Sequence, residues 1–274
     1  MKKISVTIAF FVVLYSFLSI RCEAQDRVFA TTYQTNVLPY GARDFEFWAT
    51  SRNGHKPNFY FGLDNRFEFE IGLGKNVQTS LYFNTDNNTQ GDPSMATDGL
   101  TNEKGIGISN EWKWKLSDPV ANTVGVALYH EIEIEPDEFE FESKIIMDKK
   151  FGKNLIALNA VYTYRLSLDA AKGKVFTTWA SPIEFDLGYM HYFSKGFGFG
   201  FEAKNLNDIS DANGWENSII YAGPSLYING SGWLININFL PQLQNIHKTD
   251  TAPETMVLDN HERFETRVVL SFNL

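Results

Sequence analysis

From Phe59 the chain alternates with a period of two. Phe59, Phe61, Leu63, Asn65, Phe67, Phe69 and Ile71 form one set of positions, and Tyr60, Gly62, Asp64, Arg66, Glu68, Glu70 and Gly72 form the other. Successive side chains of an extended chain point to opposite faces, so this pattern predicts a β-strand with one apolar face and one charged face. The run outlasts the roughly five or six residues usual for a globular strand. Gly74-Lys75-Asn76 predicts a turn, and alternation resumes at Val77. A strand that is apolar outside and charged inside suits the wall of a barrel in lipid.

The same period recurs to the last residue. Strands are expected at about 44–51, 59–72, 77–83, 106–116, 124–134, 139–147, 156–164, 183–193, 197–202, 218–228, 233–239 and 264–274, twelve in all. Short turns are expected after every second strand, at 74–76, 117–122, 151–154, 194–196 and 229–232, whereas 85–103, 167–180, 205–217 and 243–260 read as longer polar loops. Residues 26–43 show no clear period and read as a lead-in. An even strand count with short and long connections on opposite sides predicts short periplasmic turns, external loops and both termini in the periplasm. Trp112, Trp114, Phe193, Phe197 and Trp233 lie beside the short turns, where an aromatic girdle would sit. The fold class expected is all-β: a transmembrane antiparallel up-and-down β-barrel of twelve strands.

Composition narrows the setting. Apolar residues make up 43% of the chain, which excludes disorder, and a slightly negative mean hydropathy excludes a helical membrane bundle. Met1-Lys2-Lys3, the apolar run Ile4 to Ile20 and Cys22-Glu23-Ala24 predict a signal peptide at 1–24, leaving one barrel domain at 25–274. Export to the cell outer membrane follows as the expected location. Cys22 is the only cysteine, so the exported chain has no disulfide and no cysteine metal site. Arg21 before it argues against lipidation. Loss of the leader takes the formal net charge from −9 to −11, which argues against nucleic acid as a partner.

The signal peptide, the strand count and a closing strand with Val268, Leu270, Phe272 and Leu274 in step resemble bacterial outer-membrane β-barrels. The Leu38-Pro39 lead-in and Arg66-Phe67-Glu68-Phe69-Glu70-Ile71-Gly72 are similar to porin-like envelope barrels of Bacteroidota-like bacteria. The resemblance implies outer-membrane lipid and the barrel-insertion machinery, engaged by the C-terminal strand, as partners. Twelve-strand families of this size include nucleoside channels, acidic-oligosaccharide porins and an outer-membrane phospholipase.

Three functional readings follow. The leading one is a passive porin-like channel for small hydrophilic solutes or cations. Its acidic lumen would be lined by Asp64, Arg66, Glu68, Glu70, Glu131, Glu133, Glu138, Glu140, Glu142, Arg165, Glu184, Asp186, Glu202, Lys204, Glu265 and Arg267. Pairing Ile134 with Phe139 sets Glu133 against Glu140 and Glu131 against Glu142, a ladder of like charges that needs compensation. Pairing Met147 with Ile156 sets Arg165 opposite Glu138, one step from Glu140. The second reading is a closed structural or receptor barrel acting through its outer loops. The third is an outer-membrane lipase using His130 and Ser143, which the same pairing places face to face on the lipid side. Residues 208–214 fail as an EF-hand, because the first and last ligand positions fall on Ile209 and Ile220. The remaining histidines show no metal spacing. Neither a metal nor another cofactor is expected, and the chain is read as a non-enzyme.

Overall fold

The computed structural model describes residues 27–92, 99–171, 174–250 and 252–274. The signal peptide expected at 1–24 lies outside the described residues. The strands are β1 (Arg43–Asn53), β2 (Tyr60–Gly74), β3 (Val77–Asp92), β4 (Gly99–Ser117), β5 (Gly125–Ile134), β6 (Glu138–Phe151), β7 (Asn154–Ala171), β8 (Lys174–Ala180), β9 (Ile183–Ser194), β10 (Phe197–Ser210), β11 (Gly214–Asn229), β12 (Trp233–Asn245) and β13 (Phe264–Asn273). All pairings are antiparallel, and β13 pairs with β1 from Asn273↔Asp44 to Phe264↔Asn53. The sheet is therefore closed and has no free edge.

Thirteen segments make twelve staves. β7 pairs with β9 through Asn154–Tyr162 and with β8 through Arg165–Ala171. β8 and β9 are the two halves of one stave, interrupted at Ser181-Pro182, because proline has no N–H to donate to the ladder. Ser181 N bridges the break by donating to Ile209 O of β10 at 2.8 Å.

Alternation sorts the two faces as the pattern requires. On β2, Phe67 and Phe69 face outward and are exposed, while Glu68 and Glu70 face inward and are buried. The predicted register of β5 against β6 is present: Ile134↔Phe139, Glu133↔Glu140, Glu131↔Glu142 and His130↔Ser143. The register of β6 against β7 differs from the expectation by two residues. Gly152, at φ 57°, supports a two-residue turn that pairs Phe151 with Asn154, so Met147 meets Leu158 and Arg165 meets Glu140 directly.

Most of the expected long loops are strand. β3 and β4 pair out to Asp92↔Gly99, and β10 and β11 out to Ser210↔Gly214. Beyond the apolar band both faces of a stave are polar, so alternation fades although the backbone ladder continues. The exception is the connection 246–263, part of which turns inward. Ala252 and Val257 bury themselves against Ile219, Tyr221 and Leu240 on the inner wall of β11 and β12.

The segment preceding β1 departs furthest from the expected lead-in. Val28, Phe29 and Ala30 are fully buried inside the barrel. Phe29 packs with Leu155, Ala157, Met190, Tyr227 and Leu234, and Tyr33 packs with Trp48, Ala127, Tyr129, Ile146 and Val269. Gly188 makes room for the phenyl ring, since a Cβ there would lie 2.8 Å from Phe29 Cζ. Gly72 does the same for the exit, where a Cβ would meet Pro39 O at 2.0 Å. Among the described residues each of the three interior apolar clusters thus joins the wall to an inserted segment.

Candidate functional site

An extended segment inside a barrel has no neighbouring strand, so side chains must satisfy its buried backbone groups. Glu202 on β10 takes three of them: Ala30 N at 3.1 Å, Thr31 N at 2.8 Å and Thr32 N at 2.7 Å. Ser225 Oγ and Asn238 Nδ2 donate to the same carboxylate at 2.8 and 3.1 Å. Asn159 on β7 clamps Tyr33 on both sides, accepting from its N–H at 2.7 Å and donating to its carbonyl at 3.0 Å. Asp148 on β6 receives Thr35 N and Thr35 Oγ1, Asn236 on β12 donates to Arg27 O, and Gln78 on β3 receives Leu38 N. Five staves from around the barrel therefore hold residues 27–38 across the lumen. The Arg27 guanidinium lies 3.9 Å above the Trp48 ring and 3.6 Å from Glu46.

The expected lumen residues share the parity of the buried positions on their strands but do different things. Towards the outer end, Arg66 pairs with Glu131 and stacks over Tyr82 at 4.1 Å. Arg165 bridges Glu138 and Glu140 at 2.8 and 2.6 Å, and Lys144 holds Glu142 at 2.9 Å. Glu133 accepts from Asn84 Nδ2 at 2.5 Å. Lys204 reaches Glu265 at 2.6 Å with Arg267 at 4.0 Å, and Arg52 joins Asp64 to the same group. Glu184 and Asp186 share a face of β9, with Asp186 buried. Glu68 and Glu70 lie deeper, beside Glu46 and Glu111. The acidic ladder of β5 and β6 is thus met by Arg66, Arg165 and Lys144, two of which come from other staves.

At the outer mouth the 246–263 connection is fastened from below. Gln242 Nε2 donates to Val257 O and Glu262 O at 3.0 and 3.1 Å, and His261 Nε2 lies 2.6 Å from Asp208 Oδ2. Burial lowers the His261 pKa, but the Asp208 hydrogen bond and charge, with Glu262 nearby, leave it above its ordinary value. On the lipid side, His130 Nδ1 lies 2.9 Å from Ser143 Oγ. The imidazole is flanked by Trp114 and Phe141, and among the described residues no carboxylate or amide orients its other nitrogen.

A family model matches residues 21–274, from just before the inserted segment to the last residue. The chain belongs to the family of unknown function DUF6662. No match is found among curated proteins. Among solved structures, the β domain of the Bordetella autotransporter BrkA is similar at TM-score 0.55 and 8% identity, over 86% of this chain and all of that one. The translocator domain of the autotransporter NalP from Neisseria meningitidis gives 0.53 and 11%, over 98% of both chains. The NanC porin gives 0.49 and 12%, over 84% of this chain and all of that one. At these identities the likeness is one of fold, that of the outer-membrane barrel.

Sequence reasoning missed the site's main component, the segment 27–38. The signal available was on the wall. Ile145-Ile146-Met147, Leu155-Ile156 and Val268-Val269-Leu270 are apolar on both faces. An inward apolar residue in a water-filled lumen has no partner, so these runs imply something apolar inside.

Proposed function

We propose that the protein is an outer-membrane channel for small hydrophilic solutes and cations, closed at rest by its own N-terminal segment. The observation that carries this is the seating of residues 27–38 on side chains from five staves. The outward aromatic and aliphatic wall supports placement in the outer membrane. The inserted segment replaces the passive open pore with a plugged one. Above it, carboxylates outnumber the Arg and Lys groups on the same walls, which favours cations in an open state. Among the described residues the His130–Ser143 pair has no third member to orient the imidazole, which does not favour the lipase reading.

The test is conductance in a planar bilayer. The mature protein is expected to be quiet, and a variant lacking residues 27–37 is expected to conduct with a reversal potential favouring cations. A silent deletion variant that still migrates as a folded barrel would favour the closed structural or receptor reading instead.

A further inference from the structure

Beside the plug, between Arg27 at Glu46 and Leu38 at Gln78, the inner faces of β2, β3 and β4 carry a group of carboxylates to which the plug gives no direct hydrogen bond. Glu68, Glu70 and Glu111 offer carboxylate oxygens that all lie within 4.8 Å of one another. Each residue is at most 2% exposed. Glu68 accepts no hydrogen bond at either oxygen, and Glu70 accepts none at Oε2. Gln78, whose Oε1 holds Leu38 N, donates Nε2 to the other Glu70 oxygen at 2.9 Å and to Glu111 Oε1 at 3.4 Å, and Glu111 Oε2 takes the Tyr82 hydroxyl. Among the described residues no lysine or arginine forms an ion pair with any of the three.

A second observation is independent of the carboxylates. Ser80 stands between Glu70 and Glu111 in the ladder, directly opposite both. It is 2% exposed, and its Oγ has no partner. A hydroxyl flanked by two carboxylates ordinarily donates to one of them. Here its oxygen is left as one more acceptor facing the same space. Glu46, opposite Glu68 on β1, adds an unpartnered Oε1, while its other oxygen serves Trp48 Nε1 at 2.9 Å and faces Arg27.

Unpaired buried carboxylates are costly, and all-oxygen donors suit a hard cation. Magnesium usually keeps several waters and is bound by one or two carboxylates, whereas calcium accepts about six to eight oxygens in a flexible shell. Three buried carboxylates whose oxygens all lie within 4.8 Å of one another therefore suit calcium better than magnesium. We propose that Glu68, Glu70, Glu111 and Ser80, with Glu46 beside them, form a calcium site in the barrel wall. It would fasten β1 to β4 at the level where the plug leaves the lumen, and it does not depend on whether the barrel conducts.

The test is calorimetric titration of chelator-stripped mature protein in detergent with calcium chloride alone. The expected result is one ion per chain, with a dissociation constant below about 1 mM, and unfolding shifted to higher temperature as calcium is added. Glu68→Gln should weaken binding at least tenfold. Without calcium it should be at least as heat-stable as the wild type, because a buried repulsion is gone. If Glu68→Gln does not assemble, Ser80→Ala and Glu70→Gln carry the same expectation of weakened binding. Glu133→Gln, a lumen carboxylate outside the group, should bind as the wild type does. No calcium binding by the wild type, unchanged binding by the Glu68 or Glu70 variant, or equal affinity for magnesium would overturn the assignment.

Discussion

Glu202→Gln tests the plug at its main anchor. The carboxylate accepts five hydrogen bonds, and Thr31 N and Thr32 N share Oε2 at 2.8 and 2.7 Å. A glutamine presents one oxygen and one NH2, so whichever way it turns it cannot accept all five. Turned to keep Ala30, Ser225 and Asn238, it faces both threonine donors with an NH2. A hydrogen bond to a charged group contributes about 1.5–3 kcal/mol, so losing two costs the seated plug about 3 kcal/mol or more. Burial of Val28 and Phe29, at about 1.5–3 kcal/mol each, still favours seating. The variant should therefore open more often without standing open. A 3 kcal/mol change corresponds to about a hundredfold in the open population. Thr32→Cys reads this directly, because Thr32 is 1% exposed and its Oγ1 has no partner to lose. Labelling of that thiol by a water-soluble reagent should accelerate about a hundredfold in the Glu202→Gln background. Equal rates in the two backgrounds would refute the anchoring role, whatever the conductance shows.

Two further outcomes are expected. The His261 pKa is raised in the folded protein, so its contribution is fully present below the unfolded value of about 6.5 and is lost as pH rises through the folded value; proteolysis within 246–263 should increase as pH rises across that window, and His261→Gln should remove the dependence. Leu270→Arg, on the outward face of β13, should cost about 2–4 kcal/mol near the midplane and lower the temperature of the folded-to-unfolded gel shift, whereas Leu270→Ala should cost less.

The wall was legible because lipid and lumen impose opposite demands on alternate residues. That contrast fixed twelve staves and the register of β5 on β6 without any tertiary information. Beyond the membrane the contrast vanishes. Asn102 Nδ2 bonds Asn87 Oδ1 at 2.6 Å and Thr89 Oγ1 at 2.9 Å across β3 and β4, a polar ladder that reads as loop in the sequence. The plug was illegible for the opposite reason. Residues 27–35 are buried at every position, so no face is reserved for solvent and no period appears. The two-residue error between β6 and β7 came from the turn at Gly152, whose conformation sets register more tightly than the hydrophobic pattern, which is blind to a shift of two.

Some of the inward carboxylates have their reason in this burial. A strand in a sheet passes its N–H groups to a neighbour, whereas a lone segment must find acceptors among side chains, and carboxylates are the strongest available. Glu202 and Asp148 meet that need with the plug in place. The carboxylates nearer the outer mouth, Glu131, Glu138, Glu140 and Glu142, are instead held by Arg66, Arg165 and Lys144. Withdrawal of residues 27–38 would leave the outer tier with its three cations and take from the inner tier the plug's donors and the Arg27 charge beside Glu46, Glu202 keeping only Ser225 and Asn238. Two more carboxylates would then face water in the lower half of the lumen. On the channel reading, the act of opening therefore itself increases the preference for cations, adding charge where the plug was seated to the excess already above it.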